Sequence, residues 1–395
     1  MRLKTISRDL GLVFFAVIAC LAAAELCLRI SNKVPTLTYV GNPLVGVTLE
    51  PNKTMRNVSD EFDVIVKTNS LGFNDKEWSV DKGPDAFRIA VLGDSFTAGI
   101  QVSFENIFTR RLEHKLNDLK SNKKFEVLNF GMTEMGTAQE YEALRHYALN
   151  YHPDLVILAF FMNDVQNDIP QADNYKYKPY YRLDSSGGLE YVPFKVPGGP
   201  KDKFRNFMKR HLRLVRFFTE RIRRRPALEK FFIKIGLLSD LYTQNTKRYG
   251  MPASFCVFEK EYQPVWNDGW AVTLKLIAGM KGLCEEKNIE FLAVNIPYEP
   301  LVTDETGKLF KIYPKMKGRD WDFSKPFRSL DNFCRGEDIR YLDLLPLFKD
   351  HYKKTKTPLY FEYDQHLNKE GMELTASLIF EEIVRRKPLK LEEGP

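Results

Sequence analysis

The sequence is short of the residues that hold metals and phosphates. It has six histidines in 395 residues, and no cysteine and histidine spacing of the kind that encloses zinc. No glycine-rich phosphate loop is present, which removes the nucleotide-binding fingerprints. No cofactor is therefore expected. Of the five cysteines, Cys20 and Cys27 lie in an apolar N-terminal run. Cys256, Cys284 and Cys334 do not make a disulfide framework, although one bridge among them stays open. Charge is only mildly one-sided, at +7. No nucleic-acid recognition motif accompanies it, so nucleic acid is not an expected partner.

What is there belongs to a globular protein: 44% hydrophobic and 28% charged residues. The length suits one large domain with insertions or two modest ones. The N-terminus stands apart. Arg2, Lys4 and Arg8 precede an unbroken apolar run from Leu10 to Ala24. Glu25 interrupts it, and Leu26-Cys27-Leu28 continues before Arg29. From about Leu10 to Ile30 the run is long enough for a bilayer, which needs about 20 residues. An uncleaved anchor is the preferred reading. A signal peptide cut after Ala22-Ala23-Ala24 is the rival. A lipoprotein signal ending at Cys20 ranks last, because the apolar run continues beyond it. The basic flank favours an N-inside orientation, with the rest of the chain outside the cytoplasm, in a periplasm or at a cell surface.

Four segments further along carry polar groups at the ends of apolar strands. Phe87 to Leu92 reads as a buried strand, and Gly93-Asp94-Ser95-Phe96 follows it at the turn into a helix. A serine at such a turn exposes its hydroxyl beside free backbone N–H groups. Phe125 to Phe130 ends at Gly131. Leu155 to Met162 ends at Asn163-Asp164. The strand-like Pro358 to Glu362 leads to Tyr363-Asp364-Gln365-His366, with a helix from about Lys369 to Arg386. In an open parallel α/β sheet such ends share one edge, where ligands bind.

The residue types suit acyl transfer. A serine hydroxyl needs a base, and His366 is the candidate. The imidazole needs an acid, and Asp364, two residues away in an extended segment, reaches the same side. An oxyanion needs preorganised donors. The backbone N–H groups of Ser95 and Gly131 and the side-chain amide of Asn163 are the expected set. Each segment alone also has a bland reading: a helix N-cap at Asp94-Ser95, a tight turn at Gly131, a cap at Asn163-Asp164, a surface histidine at His366.

Taken together, Gly93-Asp94-Ser95, Asn129-Phe130-Gly131, Asn163-Asp164 and Asp364-Gln365-His366 resemble the four blocks of the SGNH (GDSL-like) hydrolase superfamily, over about residues 85–170 and 270–386. The resemblance implies Ser95 as nucleophile, Gly131 and Asn163 as oxyanion donors, His366 as base and Asp364 as acid. It also implies a flavodoxin-like fold. Three departures stand out: Phe96 where the family has Leu, Phe161 where it has Gly, and one residue rather than two between acid and base. Lys67 to Asp75 is similar to a segment that precedes the serine block in membrane-tethered bacterial members.

The alternation of strands and helices predicts a doubly wound, mostly parallel five-stranded sheet flanked by helices. Glu290 to Ile296 and Asp338 to Leu342 supply the last two strands, with helices over Ile107 to Leu119, Thr137 to Leu149, Gly269 to Lys287 and Phe327 to Arg335. The expected organisation is an anchor or signal at 1–31, a β-rich lead-in at 32–86, a hydrolase domain at 87–386 and a tail at 387–395. An inserted subdomain at 170–265 holds a hairpin, Tyr181 to Leu183 with Leu189 to Val192. A basic amphipathic helix follows from Lys203 to Gly236, striped by Phe204, Met208, Leu212, Val215, Phe218 and Ile222. It suits anionic headgroups beside the anchor, an acidic polysaccharide, or plain packing on the domain. The expected function is an extracytoplasmic serine esterase acting on an O-acyl ester, with a cell-envelope glycan as the substrate class considered. An O-acyltransferase using the same site and a non-catalytic glycan-binding protein are the alternatives. Tyr298, Trp266, Trp270 and Trp321 are candidates for a sugar site. Nothing in the sequence reads out the acyl group.

Overall fold

The computed structural model describes residues 2–173, 175, 177–196, 198–223, 225–235, 237–238 and 250–385. The tail at 387–395, Arg386, Arg224 and Gly236 lie outside the described residues. Two compact units emerge. One holds 1–38, 55–63 and 197–240, the other 39–54, 64–196 and 241–395.

The second unit is built on a five-stranded sheet. Its strands are β5 (Ala86–Gly93), β6 (Lys124–Gly131), β7 (Leu155–Phe160), β10 (Glu290–Asn295) and β11 (Arg340–Asp343). They lie in the order β11-β10-β7-β5-β6, and every neighbouring pair is parallel. The chain runs from β5 to β6 on one side, then crosses to β7 on the other. This is the doubly wound pattern, with its switch point between β5 and β7, and ligands bind in the crevice outside the strand ends there. Ile89 to Leu92 and Val156 to Ala159 are fully buried, as strands covered on both faces must be. The flanking helices include α3 (Phe108–Asn117), α4 (Thr137–His146), Pro264–Glu285, Lys325–Gly336, Leu344–Thr355 and Lys369–Arg385. All but Leu344–Thr355, for which the sequence carried no expectation, fall within about five residues of their expected bounds. The lead-in contains β1 (Tyr39–Asn42) paired antiparallel with β2 (Gly46–Leu49). The expected hairpin is present as β8 (Tyr180–Leu183) with β9 (Leu189–Val192).

Two expectations fail locally. Pro358 to Glu362 is not a strand of the sheet. Pro358 brings no N–H to a ladder, and the segment makes one antiparallel bridge, Tyr360 with Leu367. The single basic helix is three: α6 (Pro200–His211), α7 (Arg213–Arg223) and α8 (Pro226–Lys234). Leu212 is extended, at φ −118° and ψ 112°. Pro226 opens α8 and holds Arg225 in the extended region, as a residue before proline tends to be. The first unit contains these helices and α1 (Arg2–Ser31), whose span Asp9–Ser31 is long and apolar enough to cross a membrane.

The cysteines settle simply. Cys256, Cys284 and Cys334 are separate buried thiols, each pushed up to about 12 mainly by burial, so the bridge left open is not formed.

Candidate active site

The turn after β5 is held from three directions. Asp94 is fully buried and caps α2 (Ser95–Ala98), its Oδ1 accepting the Phe96 N–H at 2.9 Å. The N-cap reading of Asp94 holds, and the cap fixes the turn on which the largely buried Ser95 sits. From β6, Asn129 donates Nδ2 to the Thr97 carbonyl at 2.9 Å. From the lead-in, Asn74 donates Nδ2 to the Ala98 carbonyl at 2.9 Å, and Asp75 accepts the Asn129 N–H at 2.8 Å. The Lys67 to Asp75 segment, whose purpose the sequence did not reveal, is a buttress under the serine turn.

Ser95 Oγ lies 2.8 Å from Nε2 of His366, and Nδ1 of His366 lies 2.6 Å from Oδ1 of Asp364. The acid reaches the imidazole by a different route from the one expected. Asp364 sits in a turn, and Gln365 adopts φ +66°, so the segment doubles back rather than running extended. That left-handed residue lets a single intervening position serve. The loop is fixed by Phe361 N–H donating to the His366 carbonyl at 2.9 Å. Buried Tyr360 also donates its hydroxyl to the Pro297 carbonyl at 2.7 Å.

Asn163 opens α5 (Asn163–Asn167) after β7, across the switch point from Ser95. Its side-chain amide hydrogen-bonds the Asp94 carboxylate. An amide nitrogen carries two hydrogens, so one remains for a substrate. Gly131 behaves otherwise than expected. Its N–H donates to Oδ1 of Asn129 at 2.8 Å and is not free for an oxyanion. A side chain at Gly131 would strike the Ala98 nitrogen at 2.5 Å and the Thr97 carbonyl carbon at 2.6 Å. The glycine is there for close approach of β6 to the serine turn. The residue of this loop that does line the site is Glu134, at φ +62°. Its N–H has no hydrogen-bond partner among the described residues.

Ser95, His366, Asn163 and Glu134 share a cavity of about 280 Å³ with Phe255 and Tyr298. Of the four aromatic residues considered for a sugar site, Tyr298 is in it. Trp266 is a core residue, and Trp270 packs near Phe160 and Tyr262. Trp321 stacks on Phe323, away from the cavity. A larger hollow of about 1200 Å³ opens near the other strand ends, around Phe87, Phe125 and Glu290, and holds none of these groups.

No protein-family profile matches the chain, and no curated protein does. Solved structures do. An acetyl xylan esterase, AlAXEase, overlays with a TM-score of 0.37 at 13% identity, over 75% of this chain and 100% of that one. A lipase/acylhydrolase from Enterococcus faecalis gives 0.36 at 14% identity, over 78% and 100%. A two-domain esterase active on acetylated mannans gives 0.37 at 12%, over 78% and 52%. A likeness at this level says nothing of chemistry or substrate, which have to be argued from the site.

The electrostatics around the serine are unusual. Burial raises the carboxyls of Asp94, Glu140, Asp164 and Asp168; the charges of Asp94 and Asp168 raise Glu140 further, those of Glu140, Asp94 and Asp168 raise Asp164, and that of Asp173 raises Asp168. Among the described residues neither Glu140 carboxyl oxygen has a hydrogen-bond partner. Asp94 is drawn back down by the Phe96 amide first and by the charge of His366 next. Such a group cannot be fully ionised at once. Phe255 and Glu134 were not foreseen as site residues. Nothing in the sequence marks either one, since a left-handed glutamate is invisible to propensity and Phe255 is brought in by tertiary folding alone.

Proposed function

We propose that this chain is a serine ester hydrolase of the SGNH type. The observation that carries the reading is the continuous array from Ser95 Oγ to His366 Nε2 at 2.8 Å and from His366 Nδ1 to Asp364 Oδ1 at 2.6 Å. Oγ attacks the ester carbonyl carbon as its proton passes to Nε2 of His366, and Asp364 stabilises the imidazolium. The carbonyl oxygen takes the negative charge. The Ser95 N–H, the spare Asn163 hydrogen and the Glu134 N–H are its donors. The carbon–oxygen bond to the alcohol then breaks, and His366 returns the proton to the departing oxygen. Water, deprotonated by His366, attacks the acyl-serine carbonyl carbon; the bond to Oγ breaks, His366 returns the proton to Oγ, and the acid is released.

The cavity favours a short acyl group. At about 280 Å³ it falls just below the range of pockets that hold drug-sized ligands. The lining mixes polar Glu134, Gln166, Asn167 and Ser254 with the rings of Phe255 and Tyr298. That combination suits a polyhydroxylated alcohol such as an acylated glycan. The apolar span with its basic flank supports anchorage by α1 and a catalytic domain outside the cytoplasm.

The test is covalent labelling by a fluorophosphonate, followed by hydrolysis of acetyl, butyryl and longer aryl esters. Labelling confined to Ser95, lost in Ser95→Ala, and a preference for acetyl esters are expected. A chain that neither labels nor hydrolyses any ester would end the reading.

A further inference from the structure

We infer that α6, α7 and α8 form a basic, aromatic platform that lies on an anionic lipid bilayer at the point where α1 emerges. The charge distribution is the first observation. Between residues 200 and 235 there are thirteen lysines and arginines and three acids, a net +10. The whole chain carries +7, so everything else is net negative. A solvated helix needs no such concentration, but an anionic surface attracts each added cation.

Exposed apolar side chains are the second. Phe204 and Phe207 on α6, Phe218 on α7, Leu228 and Phe231 on α8 and Ile235 at its C-cap are each between 43% and 62% exposed. Leu228, Phe231 and the C-cap residue Ile235 follow a helical spacing that places them on one face, while Lys230 and Lys234 are exposed beside them. Lysine stems reach past such a face while their charges stay among headgroups.

The third observation fixes the occupant. Glu25, the one acid between Leu10 and Ile30, accepts the N–H groups of Arg213 at 3.0 Å and Leu214 at 2.8 Å, the first two amides of α7. Arg29, one turn on and paired with Glu25 at 2.8 Å, donates to the carbonyl of His211, the last residue of α6. The corner between two basic helices is thus capped at both ends by the final turns of α1. An acid meets one helix N-terminus and a cation meets the preceding C-terminus, each with the favourable sign. Arg216 ties the next stretch of chain by donating to the Leu37 carbonyl at 2.7 Å and Thr38 Oγ1 at 2.7 Å. All of α1 is exposed except Glu25 and Leu28 among its described side chains. If Asp9–Ser31 is in a bilayer, these clamps hold the platform at headgroup depth. Glu25 breaks the apolar run because it is needed at that corner. The inference does not depend on the ester chemistry.

The test uses the full chain reconstituted into vesicles of phosphatidylcholine, with or without about a third phosphatidylglycerol, containing brominated lipid as a short-range quencher. Phe207→Trp and Phe231→Trp are each compared with the parent chain, and Phe14→Trp reports on the anchor itself. Extra quenched emission at both platform positions is expected in anionic vesicles, weakening in neutral ones and in high salt. Lys230→Glu with Lys234→Glu, in a chain of unchanged circular dichroism, should lower the platform's bound-to-free ratio by on the order of tenfold or more. Unquenched tryptophans at both platform positions in anionic vesicles overturn the inference, however Phe14→Trp reads. So does protection of those positions by a soluble polyuronate without any lipid quenching, which would assign the surface to an acidic glycan.

Discussion

Phe96 packs against Phe161 with ring centroids 4.4 Å apart and planes tilted by 43°, and against the His366 ring at 4.8 Å. These are the two positions at which the sequence departs from the SGNH pattern of leucine and glycine. The departures touch, so each accounts for the other. A larger ring behind the imidazole fills the wall that a glycine would leave open, and aromatic contact backs the base. Phe161→Gly should therefore loosen His366 as well as enlarge the cavity. We expect kcat on an acetyl ester to fall about tenfold while KM for longer acyl esters drops. Phe96→Leu should lose less in the Phe161→Gly background than alone, because the two residues share one contact. Steady-state kinetics on the single and double variants measure the coupling.

Asp364 is about a quarter exposed at the side chain. Water thus substitutes for part of its role. In a buried triad the loss of the acid costs about 10⁴-fold. Here Asp364→Asn should cost on the order of a hundredfold in kcat, with fluorophosphonate labelling slowed but not lost. His366→Ala should abolish both. Equal losses for the two variants would show that the acid is worth as much as the base.

Most of the sheet was legible because β7 is a continuous apolar run and β5 and β6 are mostly apolar, interrupted by Arg88 and by Glu126 and Asn129, each bounded by turns. Ser95 and Asn163 were legible because each follows such a strand end, whereas Asp364 and His366 follow the strand-like Pro358 to Glu362, which does not join the sheet. What could not be read were effects of close approach and handedness. Gly131 looked like an oxyanion donor because its role in the array depends on where the Asn129 side chain turns. Gln365 was read as extended, and its left-handed conformation is what brings Asp364 to the imidazole. Asn74 and Asp75 gave no sign of their purpose, since their partners Ala98 and Asn129 lie on other elements.

Asp75 should be felt far beyond its own segment. It is fully buried, accepts N–H groups from Asn129 and Trp78, and lies 3.6 Å from the buried Arg110. Asp75→Ala leaves that guanidinium short of a partner, a change that costs about 3–5 kcal/mol in comparable buried pairs. Glu113 at 2.9 Å relieves part of it. A fall in Tm of several degrees is expected in a thermal melt. Asn74→Ala should have a smaller effect on Tm and a clear effect on kcat, because it releases the end of α2 directly.

Glu134 separates backbone from side-chain chemistry. If its N–H is the donor, Glu134→Gly keeps it and removes the strain of a side chain at φ +62°. Relief of about 1 kcal/mol is typical of that region. The expected outcome is kcat within a few-fold of the parent and a higher Tm. A loss of a hundredfold would assign the role to the carboxyl group instead.

Asp168 gives the chain a pH-dependent stability whose sign can be worked out. Its carboxyl accepts the Ala138 N–H at 2.9 Å and the Thr273 hydroxyl at 2.7 Å, yet burial pushes it up to about 7. In the unfolded chain it titrates near 3.8. Between those two values the folded state binds the proton and the unfolded state does not. Stability therefore falls as pH rises through that window and levels off above it. Glu140 and Asp164, raised in the same direction, steepen the trend. The Tm should be higher at pH 5 than at pH 7.5, the reverse of a protein held by salt-bridged carboxylates. Asp168→Asn should flatten part of that slope, because an amide in its place carries no proton to lose. Melts of both proteins across pH 4.5 to 8 decide the matter, and a Tm that climbs with pH in the parent would show that these buried carboxyls are ionised in the folded chain.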